Sequence, residues 1–243
     1  MSYQYLFLPT DLPSVKTWFR KYVNLHLSSL KTNPKSFCAS YETESQITDH
    51  EWVEMLSQPR YRVAICTVIS HHVHPLDAEW VGMIRVYGPR LNSHGDAYYY
   101  LGGAFVSPLH RGLHITFRLG VFAVEQLFLS HMRSASYERL SRKKRRKVHF
   151  QALTSSSAAC LCNYYRAMGL SGTRTMRNRD YYSQWQKVNC RKELLNQEVL
   201  CLELVVRVGG SLLDWMVDHR WLLFAQFLWL MSVLRGYMKV LSR

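Results

Sequence analysis

A chain of 243 residues with 48% hydrophobic and 20% charged side chains is long enough for a sizeable core and too apolar to be disordered. Lys and Arg outnumber Asp and Glu by 31 to 17, a formal charge of +14 that favours anionic partners and solubility but does not dictate a fold. Six scattered cysteines, of which only Cys160 and Cys162 lie close together, exclude a disulfide framework or zinc spacing and point to a reducing compartment. No basic stretch followed by an apolar run opens the chain, so no secretory signal is expected. Tyr3 to Leu8 reads as a first strand. Asp11, after Pro9-Thr10, reads as the N-cap of a helix on which Val15, Trp18, Phe19, Tyr22 and Leu25 share one face. Asn33 to Phe37 ends that helix. Thr48 and Glu51 have the spacing of a capping box, opening a short helix that stops before Pro59.

Strands are expected at Val63 to Ile69 and Trp80 to Val86. Between them stand His71, His72 and His74, with Pro75 and Asp77. Imidazole is a common metal ligand, but no distant ligand set accompanies this cluster; it reads as an exposed hairpin loop, and no metal is expected. Asn92 to Gly95 is another turn. The next stretch organises the chain. Tyr98 to Leu101 and Ala104 to Val106 are aromatic and β-branched, as strands prefer, and Gly102-Gly103 between them suggests a bulge or a close backbone approach. Pro108 stops the strand, Arg111 to Thr116 form a turn, and Ile115 to Leu129 read as a largely apolar helix. A turn feeding a helix N-terminus offers unpaired N–H groups and the positive end of a dipole, which suits a phosphate or pyrophosphate.

Arg142 to Lys147 is a basic run. Such runs serve as nuclear-import signals or nucleic-acid patches, and more often as solvated loops; no aromatic residue interleaves here to make a base-stacking surface. Val148 to Leu153 reads as a fifth strand, made parallel to the Ala104–Val106 strand by a right-handed crossover. Ser155 to Ser157 cap a helix with Ala158, Leu161, Tyr165 and Met168 on one stripe and Gly169 as its stop. Val199 to Val206 is the final strand. After Gly209-Gly210, residues 212–240 read as helix. Its apolar core, Trp221 to Leu234, would span about 21 Å, short of the roughly 30 Å of a bilayer interior. This tail is therefore expected to dock on the domain, lie at a membrane surface or mediate self-association.

Val106, Pro108, Arg111 and Gly112 resemble the acyl-CoA-binding motif of the GNAT N-acetyltransferase superfamily, in which a strand ending Val-x-Pro leads to Arg or Gln, two residues, Gly, one residue, and Gly or Ala. The two later small positions are His114 and Thr116 here. The order Asn33-Pro34, Phe37, Tyr41-Glu42, Glu51-Trp52, Leu56, Pro59 is similar to the N-terminal half of many members. Tyr165 followed by Gly169-Leu170 resembles the family's Tyr-x-x-x-Gly-Phe, while the Asn often found seven residues before that Tyr is Ala158. Asp180-Tyr181-Tyr182 occupies the usual linking segment.

The resemblance implies an α/β (α+β) GNAT acyl-CoA N-acyltransferase fold in residues 1–208. Its sheet would be mixed, mostly antiparallel, and splayed between the fourth and fifth strands, with helices on both faces. The hydrophobic tail, 209–243, lies outside the pattern. It further implies acetyl-CoA as acyl donor, with its peptide-like arm on the backbone of Phe105 and Val106 and its diphosphate at Arg111, Gly112, Leu113, His114, Ile115 and Thr116. An unidentified amine, of a small molecule or a protein, would attack the thioester directly, with Tyr165 as candidate acid for the departing thiolate. Asp96, His94 and His110 lie near the relevant strand ends as candidate bases. Tyr165 also fits a plain core position, since it sits on the apolar stripe. The alternative is a catalytically weak or inactive GNAT-like module with impaired CoA binding, acting through protein, membrane-surface or nucleic-acid contacts. An intracellular, cytoplasmic location is expected, with the nucleus open through residues 142–147. Other chemistries lack their marks: there is no phosphate-loop Gly-Lys-Ser/Thr and no Gly-x-Ser-x-Gly elbow.

Overall fold

The computed structural model describes residues 2–69, 72–137, 146–154, 159–183 and 191–208. The expectations for residues 142–145, 155–158 and 209–243, and for His71, lie outside them. Strand β1 (Tyr3–Phe7) leads through Pro9 into helix α1 (Leu12–Thr32), and the Asp11 side chain caps it by accepting from Ser14 N at 3.0 Å. The acidic cap removes one orphan donor and faces the positive end of the helix dipole. The α1 face buries Val15, Trp18, Phe19 and Tyr22 as expected. One turn later His26 is fully buried, where the spacing had pointed to Leu25, which is only partly buried.

A four-residue helix α2 (Tyr41–Glu44), absent from the sequence reading, is capped by Ser40, and helix α3 (Asp49–Leu56) opens on the expected capping box. In that box Glu51 N donates to Thr48 Oγ1 at 3.3 Å, and Thr48 N donates to Glu51 Oε2 at 2.8 Å. Strands β2 (Tyr61–Val68), β3 (Trp80–Leu91) and β4 (Ala97–Val106) then form an antiparallel meander. In the loop before β3, the His74 Nδ1 accepts from Leu76 N at 3.3 Å, so its ring helps to close a turn.

Helix α4 (Ile115–Tyr137) runs eight residues past the expected end and carries the chain over to β5 (Arg146–Thr154), which lies parallel to β4. Helix α5 (Ala159–Ala167) ends at Gly169, whose φ of 88° is the left-handed conformation that stops helices. Strand β6 (Ser171–Arg177), short helix α6 (Asn178–Tyr182) and strand β7 (Glu198–Val208) complete the fold. The seven strands are ordered β1-β2-β3-β4-β5-β7-β6, antiparallel everywhere except at β4–β5.

Strand β6 was not anticipated. Its sequence, Ser-Gly-Thr-Arg-Thr-Met-Arg, has almost no apolar alternation, and nearly every residue in it is exposed. Its backbone pairing to β7 at the sheet edge holds it in place, and composition does not reveal that.

Two cores sandwich the sheet. On one face Ile84, Tyr99, Leu101, Phe150 and Leu202 pack against Leu119, Ala123 and Leu127 of α4 and Tyr165 and Met168 of α5. On the other, Val63, Ile65, Met83 and Phe105 pack against Trp18 and Tyr22 of α1 and Trp52 and Leu56 of α3. Each large side chain fully buried here contributes roughly 1.5–3 kcal/mol. Among the described residues no helix is long and apolar enough to cross a membrane.

Candidate active site

The site begins with a miscount between two strands. Met83 of β3 pairs with Phe105 of β4 and Arg85 pairs with Gly102, so Gly103 and Ala104 together face Ile84 alone. This is a β-bulge, and it bends its strand. Gly103 adopts φ 61°, and a Cβ there would overlap the Arg85 guanidinium, 2.7 Å from Nη2; only glycine fits on both counts.

The bend separates β4 from β5. The two strands pair from Ala97↔Val148 to Leu101↔Ala152 and no further, although β4 continues to Val106 and β5 to Thr154. A cavity of about 540 Å³ lies where they part. Gly102 to Val106 line it from β4, Leu153 from β5, Leu161 and Tyr165 from α5, and Arg111 and Thr116 from the turn that opens α4. The splayed fourth and fifth strands implied by the resemblance are therefore present, and the bulge is their cause.

Tyr165 is buried, lines this cavity and has no hydrogen-bond partner among the described residues. Burial, reinforced by nearby Tyr100, pushes its phenol well above the usual range, so it stays protonated at neutral pH. Its neighbour Tyr164 donates to Thr116 O at 3.1 Å and so ties α5 to the first turn of α4. Phe105 packs into the α1–α3 core, and Ile115 is buried beside Cys66, Val81 and Val106. These two side chains are core; what they offer the site is backbone.

The turn is held more firmly than the sequence suggests. Arg111 Nε donates to Val106 O at 3.2 Å. In the amide orientation that satisfies both neighbours, Asn33 Oδ1 accepts from Arg111 Nη2 at 2.9 Å. Arg111 thus clamps the end of β4 to the end of α1. Gly112 has φ 80° and Leu113 is exposed. His114, at the first altered position of the motif, has φ 56°, the left-handed conformation that glycine adopts without penalty. Its side chain is exposed, and its carbonyl accepts from Arg118 N at 3.1 Å to begin α4.

The candidate bases are placed elsewhere. His110 is buried with Nδ1 2.9 Å from Tyr3 Oη and Nε2 3.7 Å from Glu79, which makes it a tie between β1 and the loop after β4. Asp96 accepts from Lys147 N at 2.8 Å and from Asn92 Nδ2 at 3.1 Å, at the end of β4 far from the bulge; the Lys147 N–H bond holds its carboxyl below the usual range. His94 sits in the Asn92–Gly95 turn, where its N–H donates to Asn92 Oδ1 at 2.9 Å. None of the three lines the cavity.

The sequence reading missed the opposite wall, formed by Phe37, Cys38, Glu44, Arg85 and Tyr87. Behind it is a polar cluster. Tyr22 Oη lies 2.8 Å from Tyr61 Oη, His26 Nε2 lies 3.2 Å from Glu44 Oε2, and the Tyr22 and His26 rings stack with centroids 5.8 Å apart. Burial depresses the His26 pKa despite its Glu44 partner, so the imidazole is neutral at pH 7 and donates from Nε2. One signal was available: Arg85 interrupts the apolar run from Trp80 to Val86 at a position whose neighbours are all buried.

No sequence-family profile matches the chain, and no curated protein is similar to it in sequence. Solved structures are similar in fold. The acetyltransferase of the GNAT family from Streptococcus pneumoniae matches 84% of this chain and 100% of its own, with TM-score 0.51 and 10% identity. A candidate acetyltransferase of Acinetobacter baylyi matches 84% of this chain and 93% of its own, with TM-score 0.51 and 9% identity. Both likenesses are of fold, and they agree with the mixed sheet, its single parallel pair and the helices on each face. The chain has the fold of the GNAT N-acetyltransferases.

Proposed function

We propose that the chain is an acetyl-CoA-dependent N-acetyltransferase, in which an amine attacks the thioester directly. The observation that carries this reading is the cavity at the parting of β4 and β5, lined by Thr116 from the α4 N-terminus and by Tyr165 from α5. The residues fit such a donor. Beyond Leu101 the β4 edge is not paired to β5, and a peptide-like pantetheine arm can use it. The first N–H groups of α4, from Ile115 onward, face outward with the positive dipole end and suit a diphosphate. His114 already holds the backbone shape that a glycine would give there.

Within the cavity the chain's own groups have definable tasks. Backbone N–H groups at the β4 bulge stabilise the carbonyl oxygen as it gains charge. The low-dielectric surroundings favour the neutral, nucleophilic form of the amine. Tyr165, kept protonated by burial, donates its proton to the departing thiolate.

Calorimetric titration with acetyl-CoA and a turnover screen across amines, amino acids and peptides test the reading together. Micromolar binding with turnover supports it. No binding at millimolar acetyl-CoA supports a non-catalytic module instead. Tyr165→Phe should lower turnover on the order of 100-fold and leave acetyl-CoA affinity within a factor of about two. Unchanged turnover would remove Tyr165 from the chemistry.

A further inference from the structure

We propose that the acceptor is an amine that also bears a carboxylate, and that Arg85 selects it by pairing its guanidinium with that carboxylate. This rests on the acyl-transfer reading of the cavity and adds the chemical class of the second substrate. Arg85 stands in the middle of β3 between Ile84 and Val86, both at most 1% exposed. Placing a guanidinium there is costly unless something compensates its charge. Among the described residues no carboxylate lies within ion-pair distance of it, and its Nε is buried without an acceptor. The phenol of Tyr61 engages the group as a neutral oxygen, and the Glu44 carboxylate acts on it only through space, from beyond ion-pair distance, so the guanidinium's own N–H groups have no carboxylate to hold.

Its position says what the missing partner is for. The guanidinium lies directly over Gly103, the residue whose bulge parts the two strands, and Arg85 lines the cavity that opens there. A planar cation with paired N–H groups is matched by a carboxylate in a two-point hydrogen bond. The cavity wall also carries the opposite pole, since the Glu44 carboxylate is fixed there by His26 Nε2 at 3.2 Å. An acceptor with an amine and a carboxylate a few bonds apart meets both: its carboxylate pairs with Arg85, and its neutral amine donates an N–H to Glu44. A simple alkylamine leaves Arg85 unpaired, and a polyamine sets a second cation against it.

Two sources share this chemistry: a free amino acid, through its α-carboxylate, and a peptide N-terminus whose first side chain is acidic. The test is acetyl-CoA turnover by the full chain with two matched pairs, alanine against alaninamide, and a peptide beginning with Asp against its Asn counterpart. In at least one pair kcat/KM should favour the carboxylate on the order of 100-fold, and the pair that shows it identifies the source. Arg85→Met should erase that preference, lowering kcat/KM for the carboxylate member far more than for its uncharged partner; Arg85→Lys should keep part of it. Because a variant can fail to fold, the wild-type chain is also tested with propionate, which should inhibit competitively against the amine. Equal turnover within both pairs, absence of propionate inhibition, or an Arg85→Met variant that slows both members alike would overturn the proposal while leaving acyl transfer standing. No acetyl-CoA binding and no turnover of any amine would overturn both.

Discussion

His114 carries the motif's main departure from its pattern. The pattern asks for a residue without a Cβ, and the backbone here takes the left-handed conformation that explains the demand. Histidine adopts that conformation at a cost of about 1 kcal/mol. His114→Gly should therefore stabilise the fold by up to about that amount and strengthen acetyl-CoA binding, measured by denaturant unfolding and calorimetry; a loss of affinity would instead make the imidazole a ligand for the diphosphate. Gly103 is the converse case. Gly103→Ala would need both the left-handed backbone and a shift of the Arg85 guanidinium, and should cost at least about 1–2 kcal/mol in unfolding experiments. His26 gives a pH dependence. Its folded-state pKa lies below the ordinary value of 6.5, so below that pH the unfolded chain binds a proton that the folded chain refuses. Stability should fall as pH drops through and below 6.5, and His26→Gln should flatten that slope; an unchanged slope would place it in other groups.

At the scale of elements, the sequence was clearest where local chemistry decides. Asp11 and the Thr48–Glu51 box start helices in the structure as their spacing predicts. Thr48→Ala should cost about 1 kcal/mol in unfolding free energy, with no effect on acetyl-CoA affinity. Gly102-Gly103 marked the bulge, because two glycines in a strand have few other uses. The order Pro108, Arg111, Gly112 marked the turn into α4. What escaped the sequence depends on partners distant along the chain. Strand β6 exists through its pairing with β7, α2 spans only four residues, and α4 continues past Leu129 without the apolar residues that had signalled it. The far wall of the cavity was hidden for the same reason. Glu44, Arg85 and Tyr87 come from α2 and β3, and only the sheet topology brings them to the bulge of β4. His110 and Asp96 show the reverse: near the right strand ends in sequence, they are engaged in fixing loops.

Across the whole molecule, one distortion organises the rest. A single extra residue in β4 opens the sheet next to the one parallel pair among the described residues. Arg111, Thr116 and Tyr165 line the helix-N-terminus side of the opening, which the proposed reading assigns to the acyl donor, and Glu44 and Arg85 line the opposite side, which it assigns to the acceptor. The charge of +14 suits a phosphate-rich donor, and it predicts that acetyl-CoA affinity weakens as salt rises. A co-crystal structure with CoA tests the central claim most directly. The pantetheine arm should lie along Gly102 to Val106 in the gap beyond Leu101 and Ala152, with the diphosphate on the backbone of Gly112 to Thr116. CoA bound elsewhere, or β4 and β5 paired past Leu101 with the His114 ring standing where the diphosphate belongs, would contradict it.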